Sequence, residues 1–205
     1  MIRIFPLLKA LIFIIFSNYL LPSKVFSEES SPEMTVRNLL DTIQMIKTNT
    51  DFSSKQERVN RRLSSLAITF LDIEEISRKT LGKYWKKQSL NEQKKFVILL
   101  SKLFEKIAFP KSSQFFSELE IVYQSISLRE GVATLPMLVT HKDEGEVEID
   151  FVMHKSEEKW KVIEVILDGL SMRNNLRFKF QQIISQDNFA NLILRMNKKL
   201  KGQKN

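Results

Sequence analysis

The sequence predicts an α+β fold with a helical first half, a twisted antiparallel sheet of about four strands and closing helices. Two patterns support this prediction. Before Pro110, apolar residues recur at intervals of three and four, as they do on amphipathic helices. After Pro110, β-rich runs follow one another with short turn signals between them, and such short connections join antiparallel strands. Helices and strands are therefore segregated along the chain, which is typical of the α+β class.

Residues 1–27 have the features of a cleavable secretory signal peptide. Two basic residues precede an apolar stretch over residues 11–21 that is short for a membrane span. Val25 and Ser27 occupy the positions that favour cleavage after Ser27. An uncleaved membrane anchor is the alternative. The prediction is export, with residues 28–205 as a single mature domain.

The absence of cysteine narrows the possible chemistry. A chain with no cysteine has no disulfide, no thiol nucleophile and no cysteine metal ligand. An exported domain without disulfides must be stabilised by its buried core, and residues 28–205 are long enough to form one.

Charge is distributed unevenly along the chain, which has 32 basic and 24 acidic residues. Basic residues dominate residues 78–111 and the chain after residue 171, whereas acidic residues dominate residues 118–168. Solvated charged faces explain much of this pattern. The functional alternative is a basic surface that meets anionic lipid headgroups or an acidic partner. Because the chain is predicted to be exported, nucleic acid is not an expected partner.

Three helices are predicted before Pro110. The first begins after Ser31, a capping residue followed by a proline at the first helical position. Capping boxes over residues 54–57 and 89–92 begin the second and third helices, and the third is predicted to end at Pro110. The apolar stripe of the second helix comprises Val59, Leu63, Leu66, Ala67 and Phe70, and that of the third comprises Phe96, Leu99, Leu100, Leu103, Phe104 and Ile107.

Four β-rich runs predict the sheet, at residues 121–126, 132–140, 147–153 and 160–167. In the third run, apolar and acidic residues alternate, which predicts one buried face and one face in water. Pro136 lies inside the second run. Since proline has no N–H to donate within a sheet, it predicts an edge, a bulge or a bend there.

Residues 169–171, Gly-Leu-Ser, match the first half of the G-x-S-x-G turn that carries a catalytic serine. Arg173 replaces the last glycine, and a serine nucleophile needs a histidine partner. Of the two histidines, His154 ends the third β-rich run and His141 lies near a loop, and neither position points to Ser171. Because apolar residues recur at helical spacing after Arg173, Ser171 is predicted to cap the closing helix; a nucleophilic role is the alternative.

The other common catalytic and cofactor motifs are absent from the sequence. It contains no glycine-rich phosphate loop, no dinucleotide-binding G-x-G-x-x-G and no H-E-x-x-H zinc motif. Two histidines without cysteine do not suggest a structural zinc site. We therefore predict no catalytic residues, no metal and no cofactor, in a protein that is not an enzyme.

Two segments are similar to the signatures of a known family. Residues 71–85, LDIEEISRKTLGKYW, precede Glu92-Gln93 and an F-x-x-L-L helix, and residues 160–172 read WKVIEVILDGLSM. This arrangement resembles the MlaC family, toluene-tolerance auxiliary proteins whose second signature is W-x-V-x-D-V-x-x-E-G-V-S-L. The likeness extends in order over nearly the whole mature chain. It departs at Asn175-Leu176, where the family commonly has tyrosine and asparagine.

The resemblance implies that helices pack on one face of the sheet and leave an apolar cavity for acyl chains. It implies a soluble periplasmic phospholipid carrier that works between an outer-membrane lipoprotein complex and an inner-membrane ABC transporter, in a system that maintains outer-membrane lipid asymmetry. Each buried methylene of a lipid tail contributes about 0.8 kcal/mol, so carriage through water requires a deep apolar cavity with the headgroup at its mouth. Because such carriage needs no covalent step, the lack of catalytic motifs agrees with it.

Apolar residues on the inward strand faces and the facing helices are the candidates for the cavity wall. They are Phe96, Leu100, Phe104, Tyr123, Leu135, Met137, Val147, Ile149, Phe151, Val165, Leu170 and Met172. Each can instead belong to the plain core, because an apolar stripe does not distinguish protein from ligand. The candidates for headgroup binding or partner docking are the basic residues Lys83, Lys86, Lys87 and Arg173.

Two other functions fit the same sequence. A cavity enzyme on a similar scaffold, an isomerase or a hydrolase, needs an ionisable group inside the cavity, and Asp150, Glu164 and His154 are the candidates. A lipid-free interaction protein of the cell envelope uses all of its apolar stripes as core. The lining and the contents of any cavity distinguish these alternatives.

Overall fold

The structure is a computed structural model that describes residues 31–48, 53–116, 119–141 and 145–202. The predicted signal peptide, residues 1–27, lies outside the described residues. Over the part of the chain that is described, no helix is both long and apolar enough to cross a membrane.

The described residues form seven α-helices and six strands, which confirms the α+β prediction. The helices are α1 (Pro32–Gln44), α2 (Ser54–Ala67), α3 (Ile73–Leu81), α4 (Leu90–Leu103), α5 (Phe109–Phe116), α6 (Met172–Gln186) and α7 (Phe189–Lys201). Short helical turns follow α2 at Ile68–Phe70 and α3 at Gly82–Lys87, and a π-helical segment at Phe104–Ala108 joins α4 to α5. The strands are β1 (Glu120–Tyr123), β2 (Ser127–Arg129), β3 (Val132–His141), β4 (Gly145–Ser156), β5 (Lys159–Leu167) and β6 (Leu170–Ser171).

The strands form one antiparallel sheet in the order β1-β3-β4-β5-β6, with β2 also paired to β3. The four predicted runs correspond to β1, β3, β4 and β5. The two strands that the prediction missed, β2 and β6, have three and two residues. Strands this short contain too few residues to show an alternation, so periodicity does not reveal them.

Pro136 lies inside β3, which is an interior strand of the sheet. Its carbonyl accepts a hydrogen bond from the N–H of Gln124 at 2.9 Å, so this side of Pro136 faces the gap between β1 and β2. The missing N–H of the proline therefore falls where neither strand pairs with β3. The irregularity predicted at Pro136 is therefore the gap along β3 between its pairing with β1 and its pairing with β2. The register shift in the sheet lies elsewhere, between Val152 and Met153 of β4.

Two helix starts match the sequence prediction. The hydroxyl of Ser31 accepts from the N–H of Met34 at 3.1 Å and caps α1. At the start of α4, the hydroxyl of Ser89 accepts from the N–H of Glu92 at 3.3 Å, while the Glu92 carboxylate accepts from the N–H of Ser89 at 2.8 Å. The hydroxyl and the backbone N–H of Ser89 both donate to this carboxylate, and they hold the pKa of Glu92 below its ordinary value.

The capping box predicted at Ser54 is wrong by one residue. Ser53 is the capping residue of α2, and its hydroxyl accepts from the N–H of Gln56 at 3.3 Å. Two adjacent serines both fit the motif. With Ser53 as the capping residue, Gln56 is at the third helical position. Glu57 pairs with Arg61 one turn later in the helix, at 3.4 Å.

Replacing Ser53 with alanine is expected to lower the free energy of unfolding by about 1 kcal/mol, because α2 loses the acceptor that satisfies its first backbone N–H groups. Ser54→Ala is the matched control and is expected to change stability by no more than a few tenths of a kcal/mol. Urea denaturation of the two variants measures the difference. Equal losses, or a larger loss for Ser54, would contradict the capping assignment.

The apolar stripe of α2 is less buried than predicted. Ala67 is fully buried, and Leu63 and Phe70 pack against other core side chains. Val59 and Leu66, however, are 40% and 49% exposed. These two residues are therefore exposed apolar positions of α2, the helix that packs on α1.

The third predicted helix does not end at Pro110. It continues through the π-helical segment into α5, where Pro110 is the second residue. A proline inside an α-helix lacks an N–H and its ring collides with the carbonyl four residues earlier. The wider π turn immediately before Pro110 accommodates the ring, so the chain stays helical and α5 packs against α1.

Two clusters of buried apolar side chains form the core. The sheet cluster joins α1 to the buried face of the sheet, and its fully buried members include Val36, Leu135 and Ile149. The helical cluster joins α3, α4, α6 and α7, and in it the ring of Phe96 packs edge-on against that of Phe180 at a centroid distance of 5.6 Å. The helices therefore cover one face of the sheet.

β4 shows the predicted alternation. Ile149, Phe151 and Met153 are buried, whereas Glu146 and Glu148 are exposed. The apolar face of the strand meets the sheet cluster and the acidic face meets solvent.

Candidate functional site

A cavity of about 650 Å³ lies between the sheet cluster and the helical cluster. Four layers contribute to its wall: α1, the continuous stretch from α4 through the π-helical segment to α5, the strands β4 and β5, and α6. The apolar lining residues are Leu39, Leu40, Ile43, Leu71, Leu100, Leu103, Phe104, Ile107, Ala108, Phe109, Phe115, Phe116, Ile149, Phe151, Val162, Val165, Leu167, Met172, Leu176 and Phe180. Such a wall favours an apolar ligand.

The volume sets the size of that ligand. Since an apolar cavity of about 150 Å³ accommodates one benzene molecule, a cavity of about 650 Å³ has room for roughly 25 carbon atoms. This is the size of a long acyl chain or of parts of two. The volume also lies within the usual range of small-molecule sites.

The structure places half of the predicted wall residues on this cavity. The six that line it are Leu100, Phe104, Ile149, Phe151, Val165 and Met172. The six that lie elsewhere are Phe96, Tyr123, Leu135, Met137, Val147 and Leu170. Contact with lipid remains a prediction for the first group, and the second group has other neighbours.

Those neighbours explain why the second group misses the cavity. Phe96 is enclosed by the helical cluster, and Leu135 and Met137 are fully buried within the sheet cluster, against which Val147 also packs. Tyr123 is partly buried against the sheet cluster, and Leu170 lies on the short strand β6. The ring of Tyr123 stacks under the guanidinium of Arg37, at 3.7 Å, and Leu170 is 68% exposed at the edge of the sheet. These six residues therefore lie away from the described wall of the cavity.

The prediction missed a large part of the wall. Ile107 and Ala108 lie in the π-helical segment, Phe109 begins α5, and Phe115 and Phe116 end it. Phe115 and Phe116 were missed because the helix was predicted to end at Pro110, whereas Ile107 lay on the predicted stripe but was not among the predicted wall residues. The apolar residues of the Phe109–Phe116 segment were the available signal.

The polar lining residues are Lys111 and Ser112 of α5, Asn175 and Lys179 of α6, and Lys199 of α7. The three lysines are exposed to solvent. Within the described part of the chain, no carboxylate lines the cavity. The polar rim of the cavity is therefore positively charged.

The predicted basic residues lie elsewhere. Lys83, Lys86 and Lys87 are exposed on the turn after α3, where the ammonium groups of Lys83 and Lys87 lie 5.3 and 5.4 Å from the centre of the Tyr84 ring. They form a separate basic patch outside the cavity. Arg173, the fourth predicted basic residue, is paired with Glu164.

A buried carboxylate, Glu164, organises the start of α6. It is 5% exposed, and its oxygens accept hydrogen bonds from the hydroxyl of Ser171 at 2.6 Å and from the N–H of Arg173 at 2.9 Å. The guanidinium of Arg173 completes an ion pair with it at 3.2 Å. Arg173 is therefore engaged with the protein, and Glu164 positions a helix whose Met172 and Leu176 line the cavity.

Ser171 caps α6, as predicted. Its hydroxyl accepts from the N–H of Asn174 at 2.9 Å while donating to Glu164. His154 is engaged elsewhere, since its Nε2 lies 2.8 Å from Oδ2 of Asp72, the residue that caps α3. The hydrogen bonds of Ser171 therefore serve the fold.

The three ionisable residues that a cavity enzyme could use, Asp150, Glu164 and His154, are not on the described wall of the cavity. Nor do the described residues contain a group of three or more His, Asp or Glu side chains placed to hold a metal ion. What the described wall offers is apolar surface and three ammonium groups.

The fold and the cavity define an α+β protein in which a helical layer and one face of an antiparallel sheet enclose an apolar space. A family model described as MlaC protein matches residues 36–198. The chain therefore belongs to the MlaC family.

The structure is also similar to that of a phospholipid-binding protein from Ralstonia solanacearum, solved in complex with a phospholipid. The TM-score is 0.66 at 14% sequence identity, and the match covers 84% of this chain and 96% of that one. At this identity the match shows that the two proteins share a fold. A comparison with curated protein sequences finds no match.

Proposed function

We propose that the protein is a soluble periplasmic phospholipid carrier. It holds acyl chains in the apolar cavity and shuttles lipid between an outer-membrane lipoprotein complex and an inner-membrane ABC transporter. The observation that carries this proposal is the cavity of about 650 Å³ with an apolar wall and a basic rim. Membership of the MlaC family and the fold shared with a phospholipid-binding protein support it.

The energetics of lipid transfer agree with this assignment. Each methylene removed from water contributes about 0.8 kcal/mol, so a cavity with room for roughly 25 carbon atoms compensates a large part of the cost of lifting a lipid from a membrane. The family is periplasmic, and the predicted signal peptide at residues 1–27 supplies the route of export. The mature carrier would then comprise residues 28–205.

Native mass spectrometry of the protein purified from the periplasm tests the proposal. We expect a mass increment that extraction and lipid analysis identify as phospholipid, and we expect the loaded protein to deliver that lipid to acceptor vesicles. A protein that is recovered without lipid, and that takes up none from vesicles, would contradict the carrier function.

The basic patch formed by Lys83, Lys86 and Lys87 is proposed as the docking surface for a membrane complex. Because these lysines lie outside the cavity, reversing them to glutamate is expected to leave the lipid content unchanged. The rate of lipid transfer to a reconstituted partner complex is expected to fall about tenfold at low salt and less at high salt, since the patch would act on the rate of encounter.

The matched control reverses three exposed cations of α2, Lys55, Arg58 and Arg62. It changes the net charge by the same amount at another place. Equal slowing by both variants would show a general charge effect, and unchanged transfer by the first would exclude the patch as a docking surface.

A further inference from the structure

Three lysines from three different helices line the polar rim of the cavity. Lys111 is on α5, Lys179 on α6 and Lys199 on α7, and all three line the same apolar space. The side chains of Ser112 and Asn175 also line it and supply neutral hydrogen-bonding groups. The rim therefore combines cations and neutral donors at the point where an apolar ligand meets water.

The positive charge of this rim is not neutralised by the protein. None of the three lysines forms an ion pair with a carboxylate of the described residues, in contrast to Lys79, which lies 3.8 Å from Glu75. The acidic residue that most closely precedes Lys199 in the chain, Asp187, lies between α6 and α7 and is itself paired with Arg195 at 3.0 Å. A ligand that places negative charge at the rim would be stabilised by all three ammonium groups.

We infer that the rim is a headgroup site that selects phospholipids with a net negative charge over zwitterionic ones. The inference rests on the proposed carrier function. Every phospholipid presents a phosphate, but a zwitterionic headgroup adds an amine cation that the lysines of the rim repel. A phosphoglycerol headgroup carries the phosphate charge and no such cation, so it gains the attraction without the repulsion.

A competition experiment tests this selectivity. Delipidated full-length mature protein is offered equimolar phosphatidylglycerol and phosphatidylethanolamine with identical acyl chains, and native mass spectrometry reports the ratio bound. The wild-type protein is expected to favour phosphatidylglycerol by about tenfold, which is about 1.4 kcal/mol. The triple variant Lys111→Gln, Lys179→Gln, Lys199→Gln is expected to bind the two lipids at a ratio within about twofold of unity.

The control is the triple variant Lys83→Gln, Lys86→Gln, Lys87→Gln, which removes the same charge outside the cavity and is expected to keep the wild-type ratio. Retention of the preference by the rim variant, or its loss in the control, would overturn the inference while leaving the carrier function intact. A wild-type protein that binds both lipids equally would do the same. Failure of the wild-type protein to bind either lipid would instead contradict the proposed function.

Inorganic phosphate distinguishes a lipid headgroup from a free anion as the ligand. Added in excess, at an ionic strength matched with chloride, it is expected to leave the bound lipid ratio unchanged, because it has no tails to hold it at the cavity. A collapse of the ratio in phosphate but not in chloride would assign the lysines to a free-anion site and overturn the inference.

Discussion

Replacing Glu164 with alanine is expected to lower the free energy of unfolding by about 3 kcal/mol. This value is near the lower end of the range for a broken buried ion pair, because the side chain of the partner Arg173 is 25% exposed. The substitution removes the acceptor for the hydroxyl of Ser171 and for the N–H of Arg173, and it leaves the guanidinium without its counter-ion. Chemical denaturation measures the loss.

Glu148→Ala is the matched control for this substitution. Glu148 is on the neighbouring strand β4, and its side chain is exposed, so its loss is expected to cost less than about 0.5 kcal/mol. We also expect Glu164→Ala to reduce the lipid content, because α6 supplies part of the cavity wall. Similar stability losses in the two variants would show that Glu164 does not hold the start of α6.

Replacing Val165 with tryptophan is expected to abolish recovery of bound phospholipid from cells. Val165 is partly buried in β5 and lines the cavity, so the larger side chain occupies space that tails would fill. Displacing roughly four methylenes costs about 3 kcal/mol of binding free energy, or about a hundredfold in affinity. Native mass spectrometry and extraction measure the lipid content.

The matched control places the same side chain on the surface. Val122 in β1 is 56% exposed and does not line the cavity, so Val122→Trp is expected to retain the wild-type lipid content. Circular dichroism verifies that both variants are folded. If Val165→Trp still carried a full complement of lipid, the cavity described here would not be where the tails bind.

Local sequence signals predicted much of the fold because they act over a few residues. Ser31, Ser89 and Ser171 cap the helices that they were expected to cap, since a hydroxyl reaches an N–H two or three residues ahead whatever the tertiary structure. The choice between Ser53 and Ser54 was not predictable from the motif, because both serines satisfy it. The prediction that the third helix ends at Pro110 was wrong because the π turn that compensates for the proline has no simple sequence signature.

The candidate site was predictable only in part, for a different reason. Hydrophobic periodicity shows which side chains turn inward, but it does not separate Phe96 from Leu100, four residues apart on one stripe. Both belong to the helical cluster, and of the two only Leu100 lines the cavity. The basic rim combines residues of α5, α6 and α7, which the pattern of a single helix does not show. Lys111, Lys179 and Lys199 are 88 residues apart at their extremes and line one cavity through tertiary structure alone.

The π-helical segment at Phe104–Ala108 determines how α5, which continues directly from it, is rotated about the helix axis. In an α-helix each residue advances by about 100°, so one residue more or fewer in this segment would turn α5 by about that angle about its axis. Lys111 and Phe115 would then swing from the cavity toward solvent or toward α1. A single wide turn thus determines which side of α5 faces the cavity, and a return to regular α-helical winding there would change which side chains of α5 form the cavity wall.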